Sequence, residues 1–136
     1  MAASTLVDAG YLVALLIGRD RHHAWAVSTA SRHPPPWHAC EAVLSETFHL
    51  LGPANFQLMS ELLRRGSVVS SFNFAQEHLA ILALMAKYSQ VPMSLADACL
   101  VRMSETLPDP IVLSTDGDFR VYRRHSRQAI PHLLPS

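Results

Sequence analysis

The sequence predicts a single α/β domain over residues 1–136, with helices on both faces of a parallel sheet. Three observations carry that expectation. Short apolar runs alternate with longer amphipathic stretches, the order that parallel strands and crossover helices produce. Glycines close several of those stretches. A length of 136 residues suits one domain with a core of its own. There is no internal repeat, and low complexity is confined to Pro34-Pro35-Pro36, a stiff connector.

In chain order, Thr5-Leu6-Val7 reads as the first strand, and LVALLI leads into a helix that Gly18 closes. Trp37-His38-Ala39 is the second strand, and ETFHLL runs as a helix to Gly52. Phe56, Met59, Leu62 and Leu63 share one helix face ahead of Gly66, and Ser67-Val68-Val69 is the third strand. Leu79, Leu82, Ala83 and Ala86 repeat the helical spacing before Tyr88. Ser94, Leu95, Ala98 and Val101 begin another helix, with Pro92 just ahead of it. Ile111-Val112-Leu113, set between Pro108 and Pro110 and the Ser114-Thr115-Asp116 turn, is the fourth strand, and Ala129-Ile130 the expected fifth. Gly18, Gly52 and Gly66 are each expected to take the left-handed conformation that ends a helix.

Eleven basic and eleven acidic side chains cancel. That balance excludes a basic protein that coats nucleic acid and an acidic disordered tail, but not an enzyme acting on nucleic acid at one local site. The charged fraction of 16% is below the roughly 25% of an average soluble domain, and leaves apolar surface that an interface can use. Cys40 and Cys99 have neither metal-finger spacing nor a disulfide framework, and read as buried, reduced thiols. Residues 1–8 lack the basic and apolar segments of a signal peptide. The longest apolar run, residues 11–17, falls short of the ~20 that span a bilayer. A cytoplasmic protein without a membrane partner is expected.

Ligands bind beyond the C-terminal ends of the strands in an open parallel sheet. Asp8 and Asp116 follow two such strands, and Glu46 and Asp97 lie near the starts of apolar helices. Four carboxylates from distant segments can therefore converge, and they repel unless a cation neutralises them. An all-oxygen set suits Mg²⁺ or Mn²⁺ rather than Zn²⁺. Two such ions about 4 Å apart would clamp the attacking and leaving oxygens of a phosphoryl transfer. Each acid also has a structural reading. Ser94 and Asp97 fit a capping box, Asp8 and Asp116 fit helix N-caps, and Glu46 fits a solvated helix face.

The text around these acids resembles the PIN-domain ribonucleases. Leu6-Val7-Asp8-Ala9-Gly10-Tyr11-Leu12-Val13-Ala14-Leu15 is similar to their opening strand and helix, and Ser94-Leu95-Ala96-Asp97-Ala98 to their central acidic helix start. Leu113-Ser114-Thr115-Asp116-Gly117-Asp118-Phe119 is similar to their closing strand and turn, and Glu46 in Leu44-Ser45-Glu46 matches the second acid. Within the family, the VapC-like toxins of bacterial toxin–antitoxin pairs are the nearest group. Asp20-Arg21-His22-His23-Ala24-Trp25 and Lys87-Tyr88-x-x-Val91-Pro92-Met93 look like one branch of it.

The resemblance implies an α/β/α sandwich with a central, mainly parallel sheet of four to five strands. It also implies metal-dependent hydrolysis of RNA phosphodiesters, a Mg²⁺ or Mn²⁺ cofactor, a cognate antitoxin and a homodimer. Carried over, the catalytic set is Asp8, Glu46, Asp97 and Asp116. Asp8, Asp97, Asp116 and the accessory Asp118 are ligands, Glu46 orients the attacking water, and Ser114 or Thr115 hydrogen-bonds the carboxylates. The chain departs from the family at Gly10, where many members carry Ser or Asn, and at Gly117, where a polar or basic side chain is common.

Rival motifs fall away quickly. Glu46-x-x-His49 has no second copy, no two His lie four apart on a helix, and neither type of phosphate loop is present. Two other functions stay open: a PIN-like module that binds RNA or protein without cutting it, and a structure-specific DNA nuclease. For the substrate, Arg120, Arg123, Arg124 and Arg127 crowd a short segment with His125, and Arg19 and Arg21 extend that patch if the strand edges face one side. Arginine forks suit phosphates, but a solvated face or a seat for an acidic partner segment fits equally well. Setting aside Asp8, Glu46, Asp97, Asp116 and Asp118 leaves 11 cations against 6 acids. The neutral sum then resolves into a negative pocket in a mildly positive surface.

Overall fold

The computed structural model describes residues 3–136; residues 1 and 2, which the expected domain and leader reading include, lie outside the described residues. The chain opens with β1 (Ser4–Val7), whose four residues are all buried. α1 (Ala9–Leu16) and α2 (His23–Arg32) follow, then β2 (Trp37–Ala39), α3 (Glu41–Leu51) and α4 (Phe56–Arg64). Next come β3 (Val68–Ser70), α5 (Phe74–Lys87), α6 (Leu95–Thr106) and β4 (Pro110–Leu113). Two short strands, β5 (Arg123–Arg124) and β6 (Gln128–Ala129), form an antiparallel hairpin, and β7 (His132–Leu133) ends the chain's regular structure.

The main sheet runs β3-β2-β1-β4-β7, and all four pairings are parallel. Helices flank it, so the expected α/β architecture with a central parallel sheet is what the chain forms. Five strands, all parallel, sit at the upper end of the expected number. β1 lies at the centre with Leu6 and Val7 fully buried, which is why its sequence is continuously apolar rather than alternating. Tyr11 on α1 is also fully buried; its ring meets Trp25 and Trp37 edge-on, and its hydroxyl donates to the Ala26 carbonyl at 2.9 Å. Such aromatic pairs add about 1 kcal/mol each beyond the area they bury. α6 is the most enclosed helix, with Ala98, Leu100, Val101 and Ser104 at zero exposure.

The glycine punctuation holds at one place and needs correction at two. Gly66 (φ +78°) ends α4 in a Schellman turn: its N–H donates to Leu63 O, and Ser67 N–H donates to Leu62 O at 2.9 Å. The Ser67 N–H is therefore spent on the helix cap while its carbonyl accepts from Trp37 N–H at 2.8 Å, and β3 itself starts one residue later than expected, at Val68. Gly52 has φ +74° but ψ 170°, outside the left-handed helical region, because the following Pro53 disfavours helical ψ. Gly18 does not carry a positive φ; α1 ends at Leu16, with Ile17 as its extended cap.

Three further differences follow from packing. The fifth sheet strand is β7, not Ala129-Ile130. Ala129 pairs with Arg123 in the hairpin, and Pro131, which has no N–H to give a ladder, separates Ile130 from the strand. α5 forms where its spacing predicts, but Leu79 and Leu82 point outward at 73% and 54% exposure. Ile81 is its buried residue, and Glu77 pairs with Arg102 on α6, so contacts with α6 choose the inner face. α2 is not announced by apolar spacing, since it buries only Ala26 and Thr29. No helix among the described residues is long and apolar enough to cross a membrane.

Candidate active site

From β1 the chain moves to β2 on one side, whereas β4 returns on the other. β1 and β4 thus border the point where the strand order reverses, and a crevice opens beyond their C-terminal ends. Val7 and Leu113 are partners in register, so Asp8 and the Ser114-Thr115-Asp116 turn leave the sheet side by side. The first turn of α6 brings Asp97 to the same edge, whereas Glu46 reaches it from the middle of α3, a turn and a half in from Glu41 rather than near the helix start as expected. A cavity of about 160 Å³ there is lined by Asp8, Gly10, Glu46, Asp97, Thr115 and Asp116. The four catalytic acids expected from sequence share it.

Asp8 performs two tasks at once. It caps α1, with Oδ1 accepting from Tyr11 N–H at 2.8 Å, and its Oδ2 accepts from the Ser114 hydroxyl. Burial pushes its carboxyl up to about 7 against those two donors, with the charges of Asp97 and Asp116 adding to the rise. Asp97 is freer than a capping box would leave it. The Ser94 hydroxyl accepts from Asp97 N–H at 3.0 Å, but the return bond from the Asp97 carboxylate is not among the hydrogen bonds of the described residues. Instead Asp97 Oδ2 accepts from Tyr122 Oη at 3.1 Å. Burial and then the Asp116 charge push the Asp97 carboxyl up to about 6.

Asp116 shapes the turn that holds the last pair. Its N–H donates to Ser114 Oγ at 2.8 Å, and its Oδ1 accepts from Asp118 N–H at 2.9 Å. Burial, then the Asp116 charge, raises the Asp118 carboxyl. Carboxylate oxygens of Asp97, Asp116 and Asp118 all lie within 4.8 Å of one another. The ion pairs of the described residues are Arg64–Glu61, Arg102–Glu77 and Arg102–Glu105, so no lysine or arginine neutralises this cluster. An all-oxygen, uncompensated trio of aspartates fits a hard divalent cation. Asp8 stands behind the trio with each oxygen already accepting a protein donor, and Glu46 forms a wall close enough for its charge to act on Asp97.

The structure accounts for Gly10. A Cβ there would sit 2.1 Å from Thr115 Oγ1 and 3.6 Å from Asp8 Oδ1. The Thr115 hydroxyl thus fills the space that a side chain at position 10 would enter, and brings a hydroxyl to the place where Gly10 lacks one. Ser114 bonds a site carboxylate directly, as expected for the pair, whereas Thr115 lines the cavity.

The arginines divide. Arg120 is exposed, and its guanidinium lies 3.3 Å from where a Gly117 Cβ would be, at the lip of the aspartate turn. Arg123 folds back, its Nη1 donating to the carbonyls of Arg120, Val121 and Tyr122, and Arg124 Nη2 donates to the Ser104 carbonyl. Arg127 is exposed on the hairpin, and Arg19 lines a different cavity with Leu16 and Leu58. One residue escaped the sequence reading: Tyr122, fully buried, with its hydroxyl 2.9 Å from the Pro92 carbonyl and 3.1 Å from Asp97. The only sequence signal for it is an aromatic residue shortly after the Asp118-Phe119 pair.

No curated protein matches the chain. A sequence model described as the PIN domain matches residues 5–124, which takes in every acid of the site, all of β4 and β1 from Thr5 onward. The chain belongs to the PIN domain family, whose members are generally metal-dependent nucleases.

Proposed function

We propose that this protein is a Mg²⁺- or Mn²⁺-dependent endoribonuclease and the toxin of a toxin–antitoxin pair. The observation that carries this reading is the trio Asp97, Asp116 and Asp118, drawn together within 4.8 Å with no cation of the protein's own. These three would hold the ion, with Asp8 behind them locked by Ser114 and Tyr11. The ion, when bound, supplies Lewis-acid activation of water and neutralises charge developing on the phosphate. Glu46, on the cavity wall, orients the attacking water, and Arg120 at the lip meets the phosphate. Arg123 and Arg124 set the shape of the segment that presents Arg120, which agrees with their bonds to backbone carbonyls.

Two apolar surfaces support the partners of this reading. A cavity of about 350 Å³ lined by Leu16, Ile17, Arg19, Asn55 and Leu58, beside the exposed Phe56, offers a cognate antitoxin a seat. The outward face of α5, with Leu79 and Leu82, offers one to a second copy of the chain. Sedimentation alone and with the product of the adjacent reading frame tests both.

The activity is tested by incubating end-labelled RNA and DNA of one sequence with the protein in Mn²⁺ and in excess EDTA. Cleavage of RNA in Mn²⁺ alone is the expected result. Cutting that survives EDTA would sink the metal mechanism, preferential cutting of DNA would replace RNA as substrate, and intact nucleic acid in every lane would leave a binding module.

A further inference from the structure

Cys40 and Cys99 are 59 positions apart in sequence yet meet in the fold. Cys40 ends the loop after β2 and caps α3; Cys99 sits in the second turn of α6. Both are buried, at 1% and 2% exposure, and both line one cavity. A second cavity, of about 220 Å³, is lined by the two thiols with Phe72, Phe74 and Leu95, and the last two are 45% and 42% exposed at its mouth. The acidic pocket does not use either thiol. The pair therefore has a path to solvent that admits a small uncharged molecule.

We propose that Cys40 and Cys99 are an oxidisable dithiol, which a peroxide converts to a disulfide that ties the start of α3 to α6. Cys40 is the attacking group. It stands at the N-terminus of α3 beside the amides of Ala42 and Val43, where a thiolate is favoured, and the Cys99 side chain pulls its thiol below the usual range. The Cys40 thiolate attacks one peroxide oxygen; the O–O bond breaks, and hydroxide leaves and takes a proton. The resulting sulfenic acid is then attacked by the Cys99 sulfur. The S–S bond forms, the S–O bond breaks, and water departs with the Cys99 proton. Two thiols lose two electrons to one peroxide, and two waters form.

The consequence rests on the endoribonuclease reading. α3 carries Glu46 and α6 carries Asp97, so a bond between the helices resets the separation of two walls of the acidic pocket. Misplacement of about 1 Å in such a site costs as much as 10²-fold in rate.

The test treats the full chain with hydrogen peroxide, alkylates the remaining thiols and maps the peptides. A cross-linked Cys40–Cys99 peptide within one chain is expected, reversed by dithiothreitol. In Cys99→Ala, dimedone should label Cys40 as its sulfenic acid. If both thiols of the wild-type protein stay alkylatable, or link only between chains, the dithiol is overturned whatever the variant does. RNA cleavage by the oxidised protein should fall about tenfold and recover on reduction. Unchanged cleavage with the disulfide formed would overturn the link to the pocket. A protein that never cuts RNA fails the endoribonuclease reading, while the peptide map still decides the dithiol.

Discussion

The two ends of α6 treat negative charge in opposite ways. Toward its C-terminus, Glu105 and Glu77 meet Arg102 at 3.1 and 3.0 Å, in a network where the guanidinium satisfies both carboxylates. At its N-terminus, Asp97 faces Asp116 and Asp118 with no such partner, and burial and mutual repulsion raise its carboxyl to about 6. A protein selected only for stability has a simple solution, and this helix already uses it at Arg102, five residues later. The unresolved charge is therefore informative: it is placed where a cation from solution completes the site.

The largest effect expected from breaking this contrast is at Asp97. Asp97→Asn should lower RNA cleavage about 10³-fold, while the metal-free protein melts at the same temperature as wild type or higher, because one repelling charge is gone. Arg102→Ala should do the reverse. It leaves Glu105 without its partner and costs about 1–2 kcal/mol in urea unfolding, with cleavage per folded molecule unchanged. A fall in activity for Arg102→Ala with stability intact would erase the distinction between the ends.

The pH dependence separates them further. Asp8 and Asp97 hold protons more readily in the folded protein than at their usual value of 3.8. The folded state therefore binds the extra protons between about pH 4 and pH 7, and stability is lost as pH rises through that window. The melting temperature of EDTA-treated protein should fall from about pH 5 to about pH 7.5. Mn²⁺ should cancel much of that fall, since saturation at 100 times the dissociation constant adds ~2.7 kcal/mol. A smaller effect belongs to Tyr122. Tyr122→Phe removes a donor that holds the Asp97 carboxyl down, so the acidic limb of the rate profile should move to higher pH, with a loss of about 1 kcal/mol in stability.

The central sheet and the two acids that follow its strands, Asp8 and Asp116, are legible in the sequence for one physical reason: both depend on local order. Three-residue apolar runs between proline, serine and glycine can only be short buried strands, and an acid at the end of such a strand falls on the ligand edge. What stayed hidden depends on tertiary packing. Helical spacing places Leu79 and Leu82 on one face of α5, but the Glu77–Arg102 pair and Ile81 decide that this face points outward. Pro131 moves the last sheet strand beyond Ile130 to His132–Leu133. Tyr122 reaches Asp97 across 25 residues, and Cys40 meets Cys99 across 59; neither pairing has a spacing signature. The fit of Thr115 into the space above Gly10 is likewise visible only in three dimensions.

The central claim is that the acidic end of α6 is incomplete without a divalent ion. Calorimetric titration of Mn²⁺ into EDTA-treated, dialysed wild-type protein and Asp97→Asn tests it most directly. The account predicts saturable binding to wild type with release of protons near pH 6.5, about where Asp8 and Asp97 titrate, and binding at least tenfold weaker in the variant. Equal affinity in the two proteins, or no binding to either, would contradict it.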